Sequence, residues 1–277
     1  MEHSEFSVQV IADLLFRRTG QSLGKNRRWR IGTALAGLTR EHGFSSIDQL
    51  VVQLTRPGQA GLEQQVVEAL LNNETYFFRD RAMFQHLERQ VLPQVARNRE
   101  ATRKISIWSA GCSTGQEVLS LAMIFAADPT RWDGWNIDIL GTDVSGAVID
   151  AARVGRYAHF EVQRGLGVME MLNNFDETQD GWRVKSDLLR RVRFERHNLL
   201  DGPPTSCRFD LVLCRNVLLY FEGETRRKGV SQLTAALADD GVLMVGGGET
   251  LVSLTDLVVP SPDISGVYRR PPAARAA

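Results

Sequence analysis

The chain has 277 residues, of which 43% are hydrophobic and 24% charged, proportions of an ordinary folded protein that exclude disordered and fibrous classes. Its 33 basic and 33 acidic residues cancel, which argues against a surface built as a whole to neutralise a nucleic-acid backbone. Three cysteines at irregular spacing (Cys112, Cys207 and Cys214) suit reduced thiols, the N-terminus is not a Lys/Arg-led apolar run, and no stretch nears the roughly 18 apolar residues of a membrane helix, so a cytoplasmic location without membrane insertion is expected.

From Ser4 to about Leu71 the apolar spacing is helical. Val8, Ile11, Ala12 and Leu15 follow the i, i+3, i+4, i+7 template, as do Ile47, Leu50, Val51 and Leu54. Ser45, three residues before Asp48, predicts a helix N-cap, and Gly20, Gly43 and Pro57-Gly58 punctuate the run. Residues 1–71 are therefore expected to form an all-α N-terminal domain.

After Asn72 short β-rich runs alternate with helical stretches, the pattern of parallel strands joined by helical crossovers. The runs are Ile105–Ser109, Ile137–Thr142, Phe209–Cys214 and Val242–Val245. Between the second and third, residues 157–198 are richer in charge and carry the turn signal Asp180-Gly181 between short alternating segments at Trp182–Val184 and Val192–Phe194. Part of this stretch predicts a small helical and antiparallel β excursion inserted in an α/β domain over residues 72–270, with a frayed Pro/Ala-rich tail over 271–277.

The strongest local signal is Ile105-Ser-Ile-Trp-Ser-Ala-Gly-Cys-Ser-Thr-Gly-Gln-Glu117, a buried-type strand entering a glycine-bearing turn and then a helix. Gly111 and Gly115 let backbone approach a ligand, and the helix starting near Gln116 can direct N–H groups at it. The spacing is not GxGxxG, and no Gly-Lys-Ser/Thr of a phosphate-gripping loop follows. Asp143, at the carboxyl end of the next strand in Ile139-Leu-Gly-Thr-Asp143, can accept ribose hydroxyls across the crevice of a doubly wound sheet, or it can cap the following helix. A sulfonium nucleoside without phosphates fits this pair better than a dinucleotide. The histidines His3, His42, His86, His159 and His197 are scattered, so no metal site is expected.

Asn73-Glu-Thr-Tyr-Phe-Phe-Arg79, SAGCSTGQE, GTDVS, Asn198-Leu-Leu200 and Cys214-Arg-Asn-Val-Leu-Leu-Tyr-Phe221 resemble, in order and spacing, the motif series of the CheR-type chemotaxis receptor (protein-glutamate) methyltransferases. The resemblance extends over nearly the whole chain and implies a Rossmann-like S-adenosylmethionine methyltransferase sheet behind a helical domain. It implies methyl transfer from S-adenosylmethionine to glutamate carboxylates of chemoreceptors, leaving S-adenosylhomocysteine. Carried over by position, it nominates Asn73, Thr75, Arg79, Glu117, Asp143, Asn198, Leu199, Arg215 and Asn216 for the cofactor, beside the Gly111 already read from the turn, with Tyr220 near the transferred methyl and Arg79 orienting the acceptor carboxylate or the cofactor's own. Plainer readings stand beside these. Asn73 and Thr75 could cap a turn, Asn198 and Leu199 could close a strand, and Tyr220 could be a packing residue.

The chain departs from the family pattern in three places. The STGEEPYS turn reads STGQEVLS, so Gln116 has lost a carboxylate and Val118-Leu119 replace a Pro-Tyr pair. The GHSE-like segment is Gly246-Gly-Gly-Glu249, which loses a His and leaves the shape of one pocket edge open. The excursion near Asp176–Trp182 also lacks the GxG-type loop of members that dock a receptor's C-terminal peptide, so tether-independent docking is expected. Lys25-Asn-Arg-Arg-Trp-Arg30 is either a solvated face or, through Lys25, Arg27, Arg28 and Arg30, a docking surface for the acidic helical bundle of a receptor. Nucleic-acid substrates are disfavoured, since no Asn-Pro-Pro-Tyr or Asp-Pro-Pro-Tyr segment occurs.

Overall fold

A computed structural model describes residues 4–24 and 27–271. Met1–His3, Lys25, Asn26 and the tail from residue 272 lie outside the described residues. By its contacts the chain separates into two compact units, residues 1–72 with 220–225, and residues 73–219 with 226–277.

The first unit is helical. Helix α1 (Glu5–Thr19) starts at Ser4, whose hydroxyl accepts the Ser7 N–H, and stops at Gly20, whose φ of 75° supplies the left-handed cap. Helices α2 (Arg30–Glu41), α3 (Ile47–Leu54) and α4 (Ala60–Leu70) follow, and Ile11, Ile31, Leu35, Ile47, Leu50 and Val66 are fully buried. The cap of α3 falls one residue later than expected. Ser46 accepts the Gln49 N–H, while Ser45 donates to the Gln49 side chain. Asp48 instead reaches across to Ser4, accepting its N–H at 3.0 Å and its hydroxyl at 2.8 Å, so one carboxylate ties the start of α1 to α3.

The second unit opens with an irregular segment, 73–80, followed by α5 (Arg81–His86), a π-helical turn Leu87–Val91 and α6 (Leu92–Asn98). Then come β1 (Lys104–Ala110), α7 (Gln116–Ala127), β2 (Asn136–Asp143), α8 (Gly146–Val154) and β3 (Arg156–Tyr157). They continue as α9 (His159–Gln163), α10 (Val168–Asn174), β4 (Phe175–Thr178), β5 (Gly181–Val184), α11 (Ser186–Leu189) and β6 (Val192–Arg196). The chain closes with β7 (Phe209–Cys214), α12 (Gly223–Ala236, whose start belongs to the first unit), β8 (Leu237–Val245), β9 (Val259–Pro260) and β10 (Val267–Arg269).

The main sheet has the order β6-β2-β1-β7-β8-β10-β9, parallel from β6 to β8 and antiparallel at β10 and β9. The chain winds from β1 outward through β2 to β6, then returns to the other side of β1 with β7. The topological switch therefore lies between β1 and β7, the place at whose carboxyl strand ends open α/β sheets bind ligands. Strand β1 is buried at Ile105 and from Ile107 to Ala110, as a central parallel strand covered on both faces must be. The Trp108 indole N–H donates to the Thr142 hydroxyl at 2.9 Å, fastening β1 to β2.

The excursion is a three-stranded antiparallel sheet, β3-β5-β4, whose hairpin turns at Gln179-Asp180. Val192–Phe194 is not part of it. This run forms β6, which pairs in parallel with β2 through Ile139↔Val192 and Gly141↔Phe194. Its alternation of buried and exposed residues is that of an edge strand with one covered face, which sequence periodicity alone does not separate from a hairpin strand.

Candidate functional site

The carboxyl ends of four neighbouring parallel strands deliver most of the nominated residues to one edge. Asn198 and Leu199 follow β6, Asp143 ends β2, Gly111 follows β1, and Arg215-Asn216 follow β7. Positions more than a hundred residues apart in sequence thus share one rim.

At β1 the chain turns sharply. Gly111 has φ 80°, and a Cβ there would lie 2.3 Å from Val217 Cγ2, so glycine is required by both backbone and packing. Ser113 has φ 51° and Gly115 has φ 93°, after which α7 begins. This turn is stitched to its neighbours. The Ser113 N–H donates to Asp143 Oδ2 at 2.9 Å, and its hydroxyl donates to the Asn73 carbonyl at 2.7 Å. The other Asp143 oxygen accepts the Ser145 N–H at 3.0 Å, while Ser145 itself caps α8 through Val148. The capping reading of Asp143 is therefore taken over by Ser145, and the carboxylate remains at the rim.

Segment 73–80 is held by unusual backbone. Phe77 is fully buried, edge-on to Tyr157 and Phe175 at centroid distances of 5.2 and 5.4 Å. Phe78 has φ 50° and gives its N–H to the Ser120 hydroxyl at 2.9 Å. A Cβ on Gly165 would lie 1.9 Å from the Phe77 carbonyl oxygen, so that loop packs directly on this backbone. Arg79 is half-buried, donates to the Glu74 carbonyl at 2.9 Å, and lies 5.7 Å from the Tyr76 ring centroid.

The Arg215 side chain turns inward. Its side chain is 1% exposed and donates to Glu117 Oε2 at 2.9 Å, Asp80 Oδ2 at 2.6 Å and the Arg79 carbonyl at 2.7 Å. Glu117, in the first turn of α7, also accepts the Ser109 hydroxyl at 2.9 Å. The buried guanidinium thus joins β7, α7 and the 79–80 backbone in one ionic strut. Asp80, with φ 60°, is a member that sequence reading missed, since an acid before a helix reads as an ordinary cap. Asn198 caps the 3-10 turn Leu199–Asp201, its Oδ1 accepting the Leu200 N–H at 3.0 Å.

Tyr220 groups with the helical unit. Its hydroxyl accepts the Asn72 side-chain amide at 2.5 Å, its carbonyl accepts the Ser22 N–H at 2.9 Å, and Arg27 lies 5.0 Å above its ring. Arg27 is in turn tied to the Ser22 carbonyl at 3.0 Å, and Arg28 pairs with Glu5 at 3.1 Å. Of the basic run, Lys25 lies outside the described residues, and the most exposed large side chain is Trp29 at 70%.

Burial, then the negative charges of Asp143 and Glu117, push the Cys112 thiol well above its ordinary value, so it stays protonated and is no nucleophile. Burial likewise raises the Tyr157 phenol, which donates to the Thr114 carbonyl at 2.7 Å. Two buried polar atoms on consecutive residues at the rim lack a partner in the protein, the donor Arg215 Nε and the acceptor Asn216 Oδ1. A donor and an acceptor suit the carboxylate and ammonium of an amino-acid ligand, while the carboxylates Glu117 and Asp143 suit a cationic nucleoside with free ribose hydroxyls.

A sheet switch point with a glycine turn and an acid at the next strand end suits a nucleoside cofactor without phosphates, as in the S-adenosylmethionine-dependent methyltransferases. Residues 73–262 match the family model described as CheR methyltransferase, SAM binding domain. The chain is 36% identical over 276 residues to chemotaxis protein methyltransferase 1 of Pseudomonas aeruginosa, covering 97% of this chain and 99% of that one. It is 34% identical over 246 residues to chemotaxis protein methyltransferase Cher2 of Pseudomonas putida, covering 87% and 89%. A chemotaxis protein methyltransferase of Vibrio parahaemolyticus is 33% identical over 240 residues, covering 86% of each. The chain belongs to the CheR family of chemotaxis methyltransferases, and its cofactor is S-adenosylmethionine. Among the described residues no helix is long and apolar enough to cross a membrane, and no cluster of metal-ligating side chains occurs.

Proposed function

We propose that this enzyme methylates glutamate side-chain carboxylates of chemoreceptors, with residues 1–71 serving recognition and 72–270 catalysis. The supporting observation is that the titratable groups at the rim are already engaged. Glu117 is held by Arg215 and Ser109, Asp143 accepts two backbone N–H groups, and Cys112 is kept protonated. His197 belongs to the same edge, but its Nε2 pairs with the Gly202 carbonyl at 2.8 Å. An amine or hydroxyl acceptor would need a base to remove its proton, whereas a glutamate arrives ionised near pH 7.

The cofactor supplies the electrophilic methyl. The chain's task is then positioning, which can lower a barrier by roughly 7–11 kcal/mol. In this reading Asn73, Thr75, Gly111, Glu117, Asp143, Asn198, Leu199, Arg215 and Asn216 form the cofactor site. Glu117 and Asp143 take the ammonium and ribose hydroxyls, and Arg215 acts mainly through Glu117. Arg79 orients a carboxylate, either the acceptor's or the cofactor's own, and Tyr220 shapes the methyl's approach. Docking rests on the basic start of α2, with Arg30, beside exposed Trp29, its most available described cation, because Arg27 and Arg28 are internally tied. The short β4–β5 hairpin suits docking that does not depend on a receptor tether.

The test is transfer of labelled methyl from S-adenosylmethionine to membranes carrying the organism's receptors. Label released by mild alkali as methanol is the expected result, since carboxyl esters are alkali-labile. Alkali-stable label, or label only on nucleic acid, would overturn the substrate reading.

A further inference from the structure

The Gly246–Glu249 segment, where the chain departs from its family, holds a buried carboxylate that the reading above leaves without a role. Glu249 is 5% exposed. Its Oε2 accepts the N–H of Asn216 and of Gly246, both at 2.8 Å, and its Oε1 accepts the N–H of Leu219 at 3.2 Å. The Glu249 N–H closes the turn on the Gly246 carbonyl at 2.9 Å. One side chain from beyond β8 therefore grips both ends of the Asn216–Leu219 stretch that follows β7.

That stretch has no sheet ladder to satisfy its backbone, and Asn216 stands at φ 60°, a strained conformation for a residue with a side chain. A buried carboxylate without donors is costly, and Glu249 finds three N–H groups, that of buried Gly246, that of half-buried Asn216 and that of Leu219, which is itself 44% exposed. The glycine run follows from the same packing, but only in part. A Cβ on Gly246 would lie 2.8 Å from Glu249 Oε2 and 3.1 Å from the Asn216 N, whereas Gly247 and Gly248 face open space. Only the first glycine is demanded by the carboxylate beside it.

We propose that Glu249 is a positioning residue of the methyl-transfer reaction, fixing the backbone that presents Asn216 and leads directly from Leu219 into Tyr220. This rests on the roles read above for those two residues. It acts in two separable arms. The Oε2 arm sets Asn216 and bears on cofactor affinity, and the Oε1 arm sets Leu219 and bears on turnover through the residue that follows.

Glu249→Gln separates the arms. Its one acceptor oxygen is best placed where two N–H groups converge, keeping Asn216 and Gly246, which turns its NH2 toward the Leu219 N–H, donor against donor. Cofactor affinity, measured by calorimetry without receptor, should stay within about threefold, while kcat for receptor methylation falls roughly ten- to a hundredfold, the scale of a lost hydrogen bond to a charged group. Glu249→Ala loses both arms and should weaken cofactor binding as well. A Gln variant with wild-type kcat, or one whose kcat and cofactor affinity fall in equal proportion, overturns the assignment. The wild-type enzyme in the same assay separates the two failures. If it binds cofactor but places no alkali-labile label on receptor membranes, the substrate reading has failed; if it labels them and the Gln variant does so equally, the role of Glu249 has.

Discussion

Replacing Arg215 by Met keeps most of the side chain's volume and removes the charge, leaving Glu117 and Asp80 facing each other without their shared cation. Breaking a buried ion pair by removing one partner typically costs about 3–5 kcal/mol. The Arg215 side chain is 1% exposed and that of Glu117 is 13% exposed, so that half of the strut lies in the full-cost regime, whereas Asp80 is 50% exposed and its share is screened by solvent. The expected loss is therefore near the lower bound, about 3 kcal/mol. For a unit of this size each kcal/mol moves Tm by about 2–4 °C, giving a fall of roughly 6–12 °C by scanning calorimetry. Saturating S-adenosylmethionine should restore less of that Tm in the variant than it adds to wild type, because Glu117 loses its orientation. Adding Glu117→Gln to Arg215→Met should cost less than the sum of the single changes, with a coupling above about 1 kcal/mol. A Tm within 2 °C of wild type, or additivity of the two changes, would refute the strut.

Gly165→Ala would set a methyl 1.9 Å from the Phe77 carbonyl at a φ of 103°, so it should lower Tm by calorimetry and, by displacing segment 73–80, weaken cofactor binding several-fold. Asp143→Asn keeps the size but weakens acceptance of the Ser113 and Ser145 N–H groups, and should reduce cofactor affinity about tenfold in an equilibrium binding assay. Arg79→Ala should lower kcat/KM for receptor while Tm stays within a few degrees, since its side chain makes one backbone bond and a ring contact. Hydrogen bonds from Arg99 hold Asp240 below the usual carboxylate range, and Arg81 does the same for Glu170. Depressed folded values mean stability present above the unfolded value near pH 4 and lost as pH falls through the folded one. With both carboxylates more than a third exposed, each contributes tenths of a kcal/mol, and the Asp240 share of the penalty from Arg99→Met should fade in Tm measurements as pH drops from 6 to 2.5.

The four inner strands β2, β1, β7 and β8 were legible because central parallel strands bury both faces and so appear as continuous apolar runs, as in β1 and β7, whereas the short antiparallel β9 and β10 were not read. The glycine turn was legible because Gly111 and Gly115 both need positive φ. What escaped the sequence is non-local. Val192–Phe194 has the period of any half-covered strand, and only its pairing with Ile139 and Gly141 places it in the main sheet. Arg28 reads as a free cation until Glu5, 23 residues away, is found beside it. Glu249 is recognisable from sequence as the acid of the GHSE-like segment, but not that it is buried against backbone from another strand end.

These misses have one physical origin. A parallel sheet sends each strand end to the rim with a residue or two, but adjacent ends are joined in sequence only through distant crossovers, so nothing local fixes their mutual spacing. The molecule sets that spacing with side chains that cross between ends. Asp143 on Ser113 links β2 to the turn after β1, Arg215 on Glu117 links β7 to α7, and Glu249 on Asn216 and Leu219 links the end of β8 to that of β7. Each link pairs a charged group with partners at the strand ends, and where that group is buried, as Arg215 and Glu249 are, a lost partner is expensive. Affinity and turnover in such a site should therefore depend on residues that touch no ligand as steeply as on those that do.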